Sequence, residues 1–378
     1  MEFVVDRDPL IDAVNWVARS LSARPVISAL LGIKIEVGTE ITLSGTNHET
    51  STTAVLTADI AKKGTVLVKG QLLAEIVRSL PSQPIKFSYD EANSNESRVI
   101  VTAGNARFVL PTIESFEYPT LPTVPSTTGT ILGDDFAKAV AQVAVAAGRD
   151  DSIPQNTGVN ITINKTHITF AATDRYRLAV KNLDWKPNNS EIETSVLVRA
   201  RTLQDAAKSI TPGSNLTLAL PAPDSKESMI GFVSNSKTMV SRTMGDKFPS
   251  FNHLIPTEFK AEAVIDVGLL LDAVRRIALV ADKTQPIIFT FNEGGLKLEA
   301  GGAQDAQASE AIEMDYTGEE MRTGYNPSYL IDGLQAISGT YVHFGLTAYN
   351  KLAVLTGKSE ATSDRDTSYM YLLNPMRL

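Results

Sequence analysis

The 378-residue sequence contains no cysteine and only four histidines. Without cysteine the chain cannot form a disulfide bond, a thiolate metal site or a cysteine nucleophile. The histidines, at positions 48, 167, 253 and 343, are isolated in the sequence, and no H-x-x-x-H, G-x-S-x-G, G-x-x-x-x-G-K-[ST] or G-x-G-x-x-G motif is present. We therefore predict a protein that is not an enzyme and that needs no cofactor or metal.

Long apolar segments are also missing. No apolar run approaches the roughly 18 residues that mark a membrane-spanning helix. No short apolar segment preceded by Lys or Arg opens the chain. We expect a cytoplasmic protein without a membrane partner. Because 43% of the residues are apolar, the chain can form a core in each of two or three domains.

The chain does carry one helix-forming segment three times, at residues 10–18, 136–144 and 270–278. In each copy apolar residues recur at the i, i+3, i+4, i+7 spacing of a helix with one buried face. Acidic residues that we expect to cap these helices precede them: Asp8, Asp134 and Asp266. The copies lie about 130 residues apart, a period that describes whole domains in tandem rather than a solenoid.

A second helical segment repeats in the same phase, at residues 71–80, 201–210 and 328–337. Its apolar positions again form one stripe, which predicts an ordinary core-facing helix. Outside the stripe, the three copies share an acidic residue: Glu75, Asp205 and Asp332.

Alternating sequences between the helices predict β-hairpins, formed by 33–37 with 40–44, 159–163 with 167–171, and 287–291 with 296–300. Proline-rich segments at 116–125 and 248–256 mark boundaries, because proline ends strands and is typical of linkers. We predict an α+β protein of three tandem domains, 1–125, 126–257 and 258–378. Each would combine two helices with an antiparallel sheet that the helices cover.

Two motifs do not follow from the repeat. One is Thr-Asp-Arg-Tyr-Arg-Leu-Ala-Val at 173–180, and the other is the apolar ending Tyr-Leu-Leu-Asn-Pro-Met-Arg-Leu at 371–378, which should dock onto the protein. Together with the threefold repeat, these motifs make the whole chain resemble the family of bacterial DNA polymerase III β subunits, the sliding clamps. Four short segments share the resemblance, at residues 1–3, 23–25, 247–249 and 325–329.

Members of that family are head-to-tail homodimers. The resemblance therefore implies a closed ring of six clamp domains, with helices lining the pore and strands on the outer rim. Twelve helices side by side at roughly 9–10 Å would leave a pore of about 26 Å, which admits duplex DNA. Such a ring would be a processivity factor. The implied partners are encircled duplex DNA, bound without sequence specificity, a second copy, the replicative polymerase, a clamp loader and other proteins with clamp-binding motifs.

The charge distribution agrees with this reading. The net charge is −8, but the six helix-bearing segments (6–24, 69–80, 134–149, 198–210, 266–283 and 325–338) together carry +2 and the remainder −10. A mildly positive lining suits a ring that holds DNA by topology, because every neutralised phosphate adds salt-sensitive drag.

By resemblance, a pocket for leucine- or phenylalanine-bearing peptides lies between the second and third domains. The sequence departs from the family at Asn156, usually Leu, and at His253 and Asn374, often Arg and Met, which implies a more polar pocket. The implied pocket residues are Thr173, Arg175, Tyr176, Arg177, Leu178, Pro249, His253, Leu254, Asn326, Tyr329, Leu372, Leu373, Asn374, Pro375, Met376 and Arg377.

Two further surfaces are expected. For dimerisation, Phe108 and Leu110 would pack against Leu279 and Val280 of the partner. For DNA, Arg24 matches a family arginine, while Gln71 and Pro154–Gln155 stand where some members have Arg and a Tyr pair. On charge alone we add five basic residues near the helices to the DNA-binding set: Arg149, Arg201, Lys208, Arg275 and Arg276.

Two alternatives remain open from the residues. The chain could be a three-domain adaptor that binds peptides without DNA, or a monomeric relative that has lost ring closure. An enzyme would need a substrate pocket away from residues 173–180, for which the sequence offers no residues.

Overall fold

The computed structural model describes residues 1–89, 98–221, 228–281, 285–302 and 306–377. Within these residues the chain forms six α-helices and 27 strands, and every strand pairing in the four sheets is antiparallel. It divides into two compact units. Unit 1 comprises Met1–Asp134, Lys186–Asn189 and Asp205–Thr243, and unit 2 comprises Asp135–Trp185, Ser190–Gln204 and Met244–Leu378.

The six helices confirm the repeated segments, two in each third of the chain. Their apolar stripes are buried: in α1, Leu10, Val14 and Val17 have no more than 1% of their surface exposed. The helices are α1 (Arg7–Ala18), α2 (Gly70–Ser79), α3 (Gly133–Ala144), α4 (Ala200–Ala207), α5 (Val267–Ile277) and α6 (Pro327–Ala336).

The capping prediction holds at only one of its three positions. The Asp266 carboxylate accepts a hydrogen bond from the Leu269 amide at the start of α5. Asp8 and Asp134 lie two positions past the N-cap position, inside the first turns of α1 and α3, where the Asp8 carboxylate accepts from Arg7 and the Asp134 carboxylate accepts from the Gly213 amide. An acidic side chain in the first turn still interacts favourably with the helix dipole, although it does not cap the helix.

The strands also divide equally among the three predicted domains, with nine described in each. The first domain contains β1 (Glu2–Val5), β2 (Gly32–Val37), β3 (Ile41–Thr46), β4 (Thr50–Leu56), β5 (Asp59–Lys62), β6 (Gly64–Lys69), β7 (Ile85–Tyr89), β8 (Arg98–Ala103) and β9 (Ala106–Pro111). The second contains β10 (Gly129–Leu132), β11 (Gly158–Asn164), β12 (His167–Thr173), β13 (Arg177–Asp184), β14 (Lys186–Pro187), β15 (Glu193–Arg199), β16 (Asn215–Ala219), β17 (Met229–Ser234) and β18 (Lys237–Arg242). The third contains β19 (Ala261–Asp266), β20 (Ile287–Asn292), β21 (Gly295–Ala300), β22 (Ala308–Ile312), β23 (Asp315–Thr317), β24 (Met321–Tyr325), β25 (Tyr341–Leu346), β26 (Ala353–Lys358) and β27 (Asp366–Leu373).

Each set of nine strands forms one five-stranded and one four-stranded block. In unit 1 the first domain's five-stranded block, β5-β1-β7-β8-β9, is a sheet of its own, and its four-stranded block β4-β3-β2-β6 continues into β14-β10-β16-β17-β18. In unit 2 the blocks β15-β11-β12-β13 and β27-β26-β25-β19-β23 share one sheet, and β22-β21-β20-β24 stands alone. The predicted hairpins are β2–β3, β11–β12 and β20–β21.

The joins inside the two nine-stranded sheets are equivalent. In unit 1, β18 pairs with β4 over five residues, from Lys237↔Ala54 to Ser241↔Thr50. In unit 2, β27 pairs with β13 over five residues, from Arg177↔Leu373 to Lys181↔Tyr369. In both cases the edge of a five-stranded block meets the edge of the preceding domain's four-stranded block. The same module is therefore joined twice in the same way.

One packing detail in unit 2 bears on the site described below. Gly333 lies in α6 against the Tyr371 ring, and a Cβ atom there would come within 2.4 Å of a Tyr371 ring carbon. Tyr371 itself is fully buried. The missing side chain is therefore what allows the ring to lie against the helix.

We predict that Gly333→Ala destabilises the protein by about 1–3 kcal/mol, because overpacking outweighs the gain of about 1 kcal/mol that alanine brings to a helix interior. Urea unfolding measures the difference. Gly245→Ala is the matched control, since a Cβ there would meet no atom within 4 Å, and it should change stability by less than about 0.5 kcal/mol. If the two variants are equally stable, the Tyr371 contact is loose.

Candidate peptide-binding site

The turn between β12 and β13, residues 173–177, is fixed by its own side chains. The Thr173 hydroxyl donates to the Arg177 carbonyl at 2.7 Å and accepts from the Arg175 amide at 3.1 Å. One carboxylate oxygen of Asp174 accepts from the amides of Tyr176 and Arg177 at 3.0 and 3.1 Å. These bonds hold Arg175 at a φ of 78°, in the left-handed region that residues other than glycine seldom adopt. The turn thereby presents the Tyr176 side chain outward, 56% exposed.

The chain terminus docks on this turn, as the sequence predicted for the apolar ending. Beyond β27, the Asn374 amide donates to the Tyr176 carbonyl at 2.9 Å, and the Asn374 side chain donates to the Arg175 carbonyl at 3.1 Å. Further along, the Met376 amide donates to the Gly324 carbonyl at 2.8 Å. Residues 374–376 are therefore tied both to the turn and to the segment that leads into α6.

Beneath the turn lies a buried arginine. Arg177 is 7% exposed, and its guanidinium donates to Asp174 at 2.9 Å, to Asp332 at 2.6 Å and to the Tyr371 hydroxyl at 3.3 Å. Burial alone would lower the pKa of Arg177, but Tyr371 and the two carboxylates outweigh it and raise the pKa above its ordinary value. Burying a cation is costly unless it is paired in this way, so the guanidinium stays charged.

Two tyrosine rings lie above this ion cluster. The Arg177 guanidinium carbon is 4.3 Å from the centre of the Tyr329 ring, within cation–π distance. The Tyr176 and Tyr329 rings stack with centres 6.3 Å apart. Asn326 caps α6 by accepting from the Ser328 and Tyr329 amides, which fixes the backbone that carries Tyr329. Burial raises the pKa of Tyr329 and Asp174 adds to the rise, so the phenol is neutral at physiological pH.

An apolar floor lies on the strands that flank the turn. Leu178 and Leu372, paired across β13 and β27, belong to a buried cluster with Ala171, Val180 and Val354. Partly buried apolar side chains pack against this cluster: Phe248, Phe251, Ile255, Phe259, Leu352 and Met370. Apolar walls beside a few fixed polar groups are typical of pockets that accept short peptide anchors.

The predicted pocket residues are not all equally available. Thr173 to Leu178, Asn326, Tyr329 and Asn374 to Met376 are brought together by the contacts above. Leu373 has none of its surface exposed and lies on the opposite face of its strand from Leu372, so its side chain is part of the core. Asn156 is also buried, and its carbonyl accepts from the Gly148 amide. Four predicted residues are exposed on neighbouring segments and take no part in the contacts described above: Pro249, His253, Leu254 and Arg377.

The predicted pocket residues omit three that hold the Arg177 guanidinium: Asp174, Asp332 and Tyr371. For Asp332 a signal existed, because an acid recurs at that position of the second repeated helix. Nothing in a linear sequence links it to Arg177, which lies 155 positions away.

The residues predicted to bind DNA are mostly on the surface, but several are already engaged in ion pairs. Arg24, Gln71 and Arg149 are exposed, and Pro154 and Gln155 lie in a 3₁₀ helix, Pro154–Thr157. Ion pairs with acidic neighbours tie up three of the basic residues: Lys208 with Asp205 at 3.9 Å, Arg275 with Asp272 at 3.5 Å, and Arg276 with Glu310 through two hydrogen bonds. Arg201 is exposed and makes interactions of its own.

The residues predicted at the dimer interface divide in the same way. Leu279 is 85% exposed, and Phe108 and Val280 are partly exposed. Leu110 is only 1% exposed; its side chain is already in the core of unit 1 and gains no burial from a partner. The apolar side chain that β9 does expose is Val109, at 40%. The expected role of Leu110 therefore needs correction.

Within the described ranges, no group of three or more acidic or histidine side chains is arranged to hold a metal ion. In the same part of the chain, no helix is long and apolar enough to cross a membrane. What the geometry offers is a rigid aromatic and apolar surface for a protein ligand.

These features define a class: three tandem α+β modules joined edge to edge, with an aromatic and apolar surface beside the turn at residues 173–177. Comparison with known proteins identifies the family. Models of the N-terminal, central and C-terminal domains of the DNA polymerase III beta subunit match residues 1–122, 130–250 and 252–372. The chain belongs to the DNA polymerase III beta subunit family, a family of non-enzymatic processivity factors, which confirms the family and the fold predicted from the sequence.

Individual relatives match over most or all of the chain. The chain is 42% identical to the beta sliding clamp of Streptomyces coelicolor over 380 aligned residues, with 100% of both chains covered. It is 41% identical to that of Micrococcus luteus, covering 82% of this chain and 98% of the relative. Among solved structures, the Pseudomonas aeruginosa sliding clamp bound to griselimycin superposes with a TM-score of 0.91 at 25% identity, with 100% of both chains covered.

We predict that deleting residues 374–378 abolishes binding of a leucine- and phenylalanine-bearing peptide, with a loss of at least about 2 kcal/mol. The deletion removes the three hydrogen bonds that residues 374–376 make but leaves the β13–β27 pairing intact. Isothermal titration calorimetry measures the affinity, and sedimentation serves as the control because the dimer should persist. Unchanged affinity would exclude the terminus from the site.

For the dimer, we predict that Leu279→Asp with Phe108→Ala weakens self-association by at least about 2 kcal/mol, because apolar contacts are lost and a charge is placed in the interface. Analytical ultracentrifugation at nanomolar concentration measures it. Val26→Asp is the control, since Val26 is fully exposed on a loop outside both predicted contact surfaces. A double variant that remains as dimeric as the control would place the interface elsewhere.

Proposed function

We propose that this protein is a cytoplasmic DNA polymerase processivity factor: two copies close head to tail into a ring that encircles duplex DNA and tethers the polymerase through the pocket at Tyr176 and Tyr329. The observation that carries the proposal is the threefold module, each copy of which matches a domain of the DNA polymerase III beta subunit.

The strand edges support ring closure. Twice within the chain, the outer strand of a five-stranded block pairs with the outer strand of the preceding four-stranded block: β18 with β4, and β27 with β13. The remaining outer strands of these two kinds are β9 in unit 1 and β22 in unit 2, each at a sheet edge among the described strands. Pairing β9 of one copy with β22 of another repeats the same join. This contact joins two different edges, and the same type of contact already joins the modules within the chain. Two copies can therefore form a closed ring.

The charges support a loose hold on DNA. Lys208, Arg275 and Arg276 each have an acidic partner within 4 Å, which reduces their attraction to phosphate. Residues of the predicted DNA-facing set would then contact the backbone weakly and without reading bases. Retention on DNA would come from encirclement, which lets the ring slide.

A loading experiment tests encirclement. The ring, loaded by a clamp loader onto a nicked circular plasmid, should remain bound when the salt concentration is raised and should be released when the plasmid is linearised. A protein held by phosphate contacts would dissociate with a steep log–log dependence on salt. A steep salt dependence measured on circular plasmid DNA would contradict encirclement. Peptide binding without any retention on circles would favour the adaptor alternative.

A further inference from the structure

The chain contains an internal comparison for its peptide site, because the turn before β13 has a counterpart before β4. Thr46 to Thr50 form the same hydrogen bonds as Thr173 to Arg177: the threonine hydroxyl donates to the carbonyl four residues on, and the next side chain, Asn47, accepts from two amides. His48 has a φ of 74°, matching the 78° of Arg175. The Arg242 amide donates to the Glu49 carbonyl, as Asn374 does to Tyr176.

The backbone scaffold is thus shared, while the side chains that make the site are confined to one copy. By chain position in the repeat, the counterparts of the site residues carry neither the aromatic rings nor the buried guanidinium. Tyr176 corresponds to Glu49, Arg177 to Thr50, Tyr329 to Thr202, Gly333 to Ala206 and Tyr371 to Met239.

The acidic residue of the second repeated helix, in contrast, is present in all three copies. Glu75 is exposed, and Asp205 lies 3.9 Å from the exposed Lys208. In the third copy, Asp332 lies 2.6 Å from Arg177, a buried cation. The residue that engages the acid there is the arginine of the turn.

We propose that Asp332 is a positioning residue of the peptide site: it holds the Arg177 guanidinium beneath the Tyr329 ring and so fixes the Tyr176–Tyr329 wall against which a peptide binds. This inference rests on the proposed function, because it assigns a role within that same site.

The geometry gives Asp332 a task that Asp174 cannot perform. Both carboxylate oxygens of Asp174 already accept hydrogen bonds within the turn. One oxygen accepts from two backbone amides, and the other accepts from the Arg177 Nε atom. Asp332 and the Tyr371 hydroxyl both engage the terminal Nη1 atom, and that hydroxyl donates to the Tyr329 carbonyl at 2.8 Å. Because a guanidinium is planar, bonds at its near and far ends fix the plane that faces the ring.

The test is a double-mutant cycle on the full-length protein. Asp332→Asn keeps the shape and removes the charge, and we expect it to weaken binding of a fluorescein-labelled leucine- and phenylalanine-bearing peptide at least tenfold by fluorescence anisotropy. In an Arg177→Met background, where the guanidinium is absent, Asp332→Asn should cause less than a twofold further loss. Glu75→Gln, the same charge removal on the exposed first copy, should leave the affinity unchanged.

The outcomes separate positioning from general damage and from failure of the proposed function. Asp332→Glu should restore most of the affinity, and thermal unfolding should show each single variant folded. An unchanged affinity in Asp332→Asn, or an equal loss in both backgrounds, overturns the proposal. If the unmodified protein binds no peptide, the proposed function has failed. The NMR signals of the Arg177 Nε–H and the Tyr329 ring then decide positioning: they should shift in Asp332→Asn and stay unchanged in Glu75→Gln, and any other result overturns it.

Discussion

The molecule depends on one repeated interaction, the antiparallel pairing between the outer strand of a five-stranded block and the outer strand of the four-stranded block before it. Each internal join spans five residue pairs, and each backbone hydrogen bond in it contributes about 0.5–1.5 kcal/mol. An unpaired edge of this kind invites pairing with another chain. A tandem array of such modules therefore leaves one five-stranded block and one four-stranded block with an unpaired outer strand. A head-to-tail partner can pair with both of these strands.

The proposed peptide site depends on such a join. The pairing of β13 with β27 brings the chain terminus to the 173–177 turn and places Leu372 opposite Leu178 on the apolar floor. The equivalent join in unit 1 reproduces the turn, but Thr50 stands where unit 2 has Arg177, and its hydroxyl bonds the hydroxyl of Ser241 at 2.9 Å. The leucine pair has Ser51 and Val240 as its counterparts. The two joins therefore share a backbone arrangement and differ in the side chains that it carries.

The sequence could predict the parts of this arrangement that depend on local periodicity. The helical stripe at Leu10, Val14 and Val17 and the three hairpins were predictable because spacing of three to four or of two residues is written directly in the chain. Helix ends were less predictable: Asp266 occupies the N-cap position of its helix, whereas Asp8 lies two residues past the N-cap position of α1. Pairings such as β18 with β4 join positions almost 200 residues apart, and no local pattern encodes their register.

The site was predictable as a set of neighbours through family resemblance, but the resemblance did not say which side chains face the ligand. Strand parity separates neighbouring side chains: Leu372 belongs to the apolar cluster of the proposed site, whereas Leu373, one residue on, lies on the opposite face of the strand, and Leu110 is buried while Val109 is exposed. The roles of Asp174 and Asp332 depend on three-dimensional contacts with one guanidinium, because a buried charge recruits whatever carboxylates the fold brings near.

The buried and the exposed basic side chains have different roles, which follow from how each is paired. The buried guanidinium of Arg177 is paired twice and stiffens a protein-binding surface, whereas the exposed Lys208, Arg275 and Arg276 are paired with acids on the surface, where ion pairs contribute little stability. Surface pairs of this kind mainly reduce the pull of a basic side chain on phosphate. Under the proposed function, this separation lets one surface of the chain bind a peptide while encirclement, rather than ion pairing, retains the DNA.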